Sequence, residues 1–200
     1  MNNYARPTAA LVAAIALTAL GTHLVVSYKL TGALGPAIWL MAIFFTILTN
    51  LMVFITFARI VATGRMQSAF WLTSLTLWIL ILGIVYHVIL TQFGTPVGLA
   101  WWADQALHTA TPLATLLWWI AYAPKWPMPW RNAVLSLSWP LIYVIYALIR
   151  GAFTGIYPYP FIDLNALSYG QLLKNALVFF FAFWVGGLAI IAIARTFKES

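Results

Sequence analysis

The chain has 200 residues, of which 64% are hydrophobic and 6% charged, and it carries no cysteine. Soluble domains hold about 25% charged residues, and a domain this small has too little interior to hide so much apolar surface, so a soluble fold is excluded and lipid is the expected solvent. Disulfides, zinc–thiolate centres and cysteine nucleophiles are excluded as well. The net charge of +7 comes mostly from Lys and Arg scattered singly at the ends of apolar runs, a pattern of topology signals and headgroup contacts that speaks against a nucleic-acid partner.

Six apolar segments follow one another along the chain, at about 8–28, 36–62, 69–91, 101–122, 132–150 and 168–194. Crossing a bilayer takes about 20 apolar residues in a helix. The runs are long and continuous, whereas barrel strands alternate, so the expected fold class is all-α: an integral membrane bundle of six transmembrane helices. These spans and their short loops account for residues 1–200 as a single domain without an internal repeat. The first run begins after Arg6 as a signal peptide would, but it continues to Val26. That is too long for a cleaved apolar region, and a retained first helix is expected. The connections at 32–36, 64–67, 94–98 and 124–130 hold Gly, Pro and charged residues.

Six spans put both termini on one side. Arg6, Arg59, Arg65, Lys125, Arg131, Arg195 and Lys198 fall on that side, and Lys29, Arg150 and Lys174 on the other. The excess of positive charge places both termini in the cytoplasm of a multi-pass cell-membrane protein. Short loops and absent cysteine fit a bacterial inner membrane. Trp101, Trp102, Trp126, Trp130, Tyr157 and Tyr159 gather at the expected interfaces, as an aromatic belt does. The last outer loop, 151–167, contains two prolines among aromatics, in Tyr157-Pro158-Tyr159-Pro160-Phe161. It reads either as a lid lying on the membrane or as an anchor for the sixth helix.

Ionisable groups inside a span are costly and mark functional sites. Here they are His23, His87, Asp104, His108 and, at the start of the sixth segment, Lys174. With about 1.5 Å of rise per residue, the three histidines, Asp104 and Thr46 all fall in the outer half of the membrane. Asp104, His108, Thr111 and Thr115 line one face of the fourth segment, where Asp104 is spaced to accept a hydrogen bond from His108. Pro112 lacks the N–H that would bond the His108 carbonyl, so an irregular backbone is expected there. The second segment adds Thr46, Thr49 and Asn50 within one turn. Taken singly, such threonines and asparagines are usually glue between helices.

Several chemistries remain open on these residues. A hydroxyl beside a histidine base points to covalent acyl transfer, with Thr46 as nucleophile, His108 as base, Asp104 orienting, and Asn50 steadying an oxyanion. Histidines at one depth also suit a haem-binding redox protein, and polar groups at one depth suit a small-molecule transporter. A zinc site from the histidines and Asp104 has suitable ligand types but none of the familiar spacings.

Three stretches resemble the eukaryotic androgen-induced/FAR-17a family of multi-pass membrane proteins, and the resemblance extends to small bacterial six-helix relatives. They are Phe45-Thr46-Ile47-Leu48, His108-Thr109-Ala110-Thr111-Pro112, and Tyr159-Pro160-Phe161-Ile162-Asp163, which is similar to that family's Tyr-Pro-Phe-Leu-acidic stretch. Their order and placement agree as well. The resemblance implies a membrane threonine hydrolase, an esterase of lipid metabolism that needs no cofactor or metal and cleaves fatty acid esters of hydroxy fatty acids. It implies that Thr46 is the nucleophile and His108 the base. The chain departs from the family at Thr49-Asn50, which makes Thr49 a rival nucleophile. The resemblance assigns no role to Asp104, and His87 joins it as a candidate supporting residue. The expected partners are the lipid ester substrate and the surrounding membrane lipids.

Overall fold

A computed structural model describes residues 3–197, and every regular element in that range is helical. Lys198, one of the charges assigned above to the cytoplasmic side, lies outside the described residues. The chain divides into two compact units, Met1–Pro127 and Met128–Ser200.

The first unit holds α1 (Ala5–Thr31), α2 (Leu34–Met41), α3 (Phe45–Thr63), α4 (Ala69–Val88), α5 (Leu99–Gln105) and α6 (Thr111–Tyr122). The buried face of α1 is nearly all small: Ala5, Ala9, Val12, Ala13, Ala16 and Ala19. Small side chains let helix backbones approach closely, which is how membrane helices gain packing where lipid leaves no hydrophobic driving force. That face packs mainly on α3 and also meets α2, α5 and α6. Gly32 and Gly64 end α1 and α3 in the left-handed conformation, each returning its N–H to the carbonyl four residues back. Ser68 caps α4 by accepting the Trp71 N–H. Indole N–H groups cross between helices, from Trp71 to Thr56 and from Trp119 to Thr73, both at 3.0 Å. Interhelical bonds of this kind contribute about 0.6 kcal/mol each in a membrane.

The second unit holds α7 (Asn132–Leu135), α8 (Ser138–Thr154) and α9 (Tyr169–Thr196). Ser168 and Gln171 form a reciprocal capping box at the start of α9. Gly187 on α9 lies against α7, where a Cβ would stand 3.2 Å from the Ala133 Cα. The loop between α8 and α9 is fastened to both. The Tyr157 ring covers Gly151, Asn165 donates to the Gly155 carbonyl, and Asn175 donates to the Phe161 carbonyl. Tyr159 stacks on Phe161 at 5.1 Å and is buried, so it does not join the exposed Trp101, Trp102, Trp126 and Trp130 as an interfacial anchor.

Five helical stretches are long and apolar enough to cross a membrane: Ala5–Thr31, Phe45–Thr63, Ala69–Phe93, Asn132–Thr154 and Tyr169–Thr196. Their outward faces carry exposed Leu11, Leu17, Ile55, Ile84, Phe181 and Val185, as expected where the solvent is lipid. Three expected spans have a different form, the fifth because a turn at Ser136 and Leu137 parts α7 from α8. The second apolar segment is two helices, because Phe44 turns extended (φ −88°, ψ 130°) after α2 and before α3. The fourth is not one α-helix. Between α5 and α6, residues Ala106–Ala110 form a π-helical turn, and the Thr111 N–H returns to the Ala106 carbonyl five residues back.

Candidate active site

The break before α3 and the π turn before α6 carry the two residues that matter most. Thr46 is the second residue of α3, in a turn whose N–H groups point away from the helix they begin. His108 is the middle residue of the π turn, which packs against α1, α3 and α4. Pro112 withholds an N–H from the His108 carbonyl, and Gly83 on α4 comes in against that same oxygen. A Cβ at Gly83 would lie 2.7 Å from it. The expected backbone irregularity at His108 is therefore present, and a glycine accommodates it.

The Thr46 Oγ1 lies 3.2 Å from the His108 Nε2. On the other side of the ring, the His108 Nδ1 lies 2.9 Å from the Asp104 backbone carbonyl. A carbonyl only accepts, so Nδ1 carries the proton, and when the ring is neutral its Nε2 lone pair faces the Thr46 hydroxyl. The hydroxyl facing Nε2 is that of Thr46, which is 7% exposed, whereas Thr49 on the same helix is 0% exposed.

Asp104 acts in a different way from the one its spacing suggests. Its carboxylate accepts a hydrogen bond from the Tyr86 hydroxyl at 3.3 Å, while its main-chain carbonyl faces the His108 Nδ1. Tyr86 also lies flat on His108, with ring centroids 3.9 Å apart and planes 10° from parallel. Asn50 is fully buried and spends its amide N–H groups on two backbone carbonyls, Thr46 at 2.9 Å and Leu107 at 3.3 Å. An amide so committed is not a donor to an oxyanion. It is a crossbar between the residue that carries the hydroxyl and the residue before the imidazole. Ala19, Met41, Ile47 and Leu107 form an apolar cluster beside it, with Leu24 and Phe44 packed on them.

The other expected residues make contacts of their own. His87 is exposed and pairs with Thr109 at 2.9 Å. His23 is half-buried with its ring edge-on to Phe44 at 6.5 Å. Thr111 and Thr115 return their hydroxyls to the Ala106 and Thr111 carbonyls, which satisfies them within their own helical path. Lys174 is exposed on α9. Among the described residues, no group of three His, Asp or Glu is arranged to hold a metal ion. Tyr86 and Gly83 are the residues that sequence reasoning passes over. A glycine inside a long apolar helix is the one signal that marks the latter, since it often reports close backbone approach.

No family model, curated protein or solved structure matches the chain.

Proposed function

We propose that the protein is a membrane-embedded threonine hydrolase that cleaves lipid esters such as fatty acid esters of hydroxy fatty acids. In this reading the chain crosses the membrane six times, with the fourth span made by α5, the π turn and α6. Both termini face the cytoplasm, and the site opens to the outer half of the bilayer of a bacterial inner membrane. The observation that carries the proposal is the Thr46 hydroxyl 3.2 Å from a His108 nitrogen whose ring is pinned by the Asp104 carbonyl. It agrees with the roles that the resemblance implies for these two residues.

The chemistry follows from that geometry. His108 Nε2 takes the Thr46 proton as Oγ1 attacks the ester carbonyl and forms the new C–O bond. The tetrahedral oxyanion forms beside the N-terminus of α3, whose dipole favours negative charge there. The alcohol leaves with the proton from His108, and the acyl group stays on Thr46. Water then gives a proton to His108 and attacks the acyl-threonine, releasing the acid as the proton returns to Thr46. Asn50 holds the two reacting residues in register through their backbones. The apolar cluster beside the pair keeps bulk water away and suits an acyl chain.

The test is turnover. Purified protein in mild detergent should release free fatty acid from a fatty acid ester of a hydroxy fatty acid, and Thr46→Ala should not. Wild-type protein that leaves such esters intact, or a folded Thr46→Ala as active as wild type, would overturn the proposal. A second reading, a small-molecule transporter, draws on the interrupted α2–α3 segment, because broken helices with exposed ends line many transporter sites. Uptake into proteoliposomes that is indifferent to His108→Ala would favour it.

A further inference from the structure

Nothing in the acyl-transfer chemistry requires an aromatic ring on His108, yet Tyr86 covers one whole face of it. Tyr86 is buried, at 5% exposure, so it does not present its ring to a substrate arriving from lipid. Its contacts close a cycle of three residues. The tyrosine ring stacks on the imidazole, its hydroxyl donates to the Asp104 carboxylate, and the Asp104 carbonyl accepts from the His108 Nδ1. A histidine held only by one hydrogen bond can still rotate about the bond from Cβ to the ring, since that torsion is broad and shallow. A flat ring 3.9 Å away removes that freedom, because rotation of the imidazole would drive its edge into the tyrosine.

We infer that Tyr86 is the positioning residue of the base: it fixes the plane of the His108 ring, so that Nε2 stays on the Thr46 hydroxyl. The inference rests on the hydrolase reading above. There is also an electrostatic consequence. When His108 takes the Thr46 proton it becomes a cation lying over the face of an aromatic ring, an attraction that the neutral ring lacks. An interaction made only as charge develops raises turnover and leaves substrate binding alone. The Asp104 carboxylate anchors the tyrosine hydroxyl and so keeps the ring in place.

Two substitutions separate the ring from its hydroxyl. Tyr86→Phe keeps the stack and loses the bond to Asp104, whereas Tyr86→Leu loses both. With a lipid ester and the full chain in detergent, Tyr86→Leu should lower kcat about 100-fold, the order of loss that follows a small misplacement of a reacting group, with KM within about twofold of wild type. Tyr86→Phe should keep kcat within about fivefold, because the ring remains. Histidine labelled with nitrogen-15 adds a readout that needs no turnover. Wild type and Tyr86→Phe should hold His108 as the single tautomer protonated at Nδ1, and Tyr86→Leu should show a mixture.

Equal kcat in Tyr86→Leu and wild type would overturn the inference, and so would equal losses in Tyr86→Phe and Tyr86→Leu, or a loss confined to KM. If Tyr86→Leu does not fold, Tyr86→Phe decides: a loss near 100-fold there overturns the inference, and near-wild-type turnover with one tautomer upholds it. A wild-type protein without esterase activity would sink the hydrolase reading, and a loss of turnover on Tyr86→Phe in an active enzyme would sink this inference alone.

Discussion

Two threonine–histidine pairs sit side by side in this molecule, and they are wired in opposite senses. His108 meets Thr46, and the next residue, Thr109, meets His87. Each pair has a third member four residues earlier in the chain, Asp104 for His108 and Gln105 for Thr109. In the first pair that member accepts from the histidine Nδ1, which leaves the Nε2 side of the imidazole toward the Thr46 hydroxyl. In the second the Gln105 amide oxygen accepts from the Thr109 hydroxyl at 3.1 Å. The Thr109 oxygen can then only accept from His87, whose Nε2 must carry a proton. A hydroxyl that has already given its proton elsewhere, opposite a nitrogen with no lone pair to offer, cannot begin a general-base reaction. Residue type and distance are alike in the two pairs; the position of the third group is what sets them apart.

The largest effect should come from dismantling each pair in turn. Thr46→Ala and His108→Ala should each lower ester turnover about 1,000-fold or more, the range in which paired nucleophiles and bases act. Thr109→Ala and His87→Ala should stay within about threefold, as changes outside a reacting pair do. Comparable losses in both pairs would break the distinction.

Asn50→Leu should come next. It leaves the Leu107 carbonyl without its donor, while the Thr46 carbonyl keeps its helical N–H, at a cost of about 1–3 kcal/mol for the one orphaned group, seen as a lower melting temperature in detergent. Gly83→Ala should cost about 1–3 kcal/mol by forcing α4 off the His108 carbonyl, and it should slow turnover more than a matched alanine substitution elsewhere on α4. A modest effect at Asp104 is the most instructive. Asp104→Ala keeps the backbone carbonyl that orients His108, so turnover should fall less than about tenfold. Where a carboxylate does the orienting, its loss costs about 10,000-fold. A loss of that size here would show that the carboxylate orients the ring.

Much of the fold was legible, for a plain reason. A run of about 20 apolar residues in lipid has to satisfy its own backbone, and a helix is the available way. Each of the six apolar segments is accordingly helical over most of its length. The interruption at Ala42–Phe44 was not legible, because no proline or glycine stands there and the segment reads as unbroken. The π turn was half legible, since Pro112 announces a lost hydrogen bond but not how the chain absorbs it. At the site, similar depth in the membrane and the chemistry of a hydroxyl beside a histidine made Thr46 and His108 one of several open pairings, and the resemblance favoured it over the others. Asp104 shows the limit of spacing. A residue four positions before a histidine offers both a carboxylate and a carbonyl, and spacing does not say which of them the imidazole will use. Tyr86 was hidden because an aromatic residue in an apolar span carries no polar periodicity to mark it.

The central claim is that Thr46 is an activated nucleophile with His108 as its base, and one measurement addresses it directly. The protein in mild detergent is treated with a fluorophosphonate, which labels activated hydroxyls, and intact masses are read for wild type, Thr46→Ala, Thr49→Ala and His108→Ala. A single adduct on wild type and Thr49→Ala, absent from Thr46→Ala and His108→Ala, is the result this account predicts. No adduct on folded wild type, or an adduct lost only in Thr49→Ala, would contradict it.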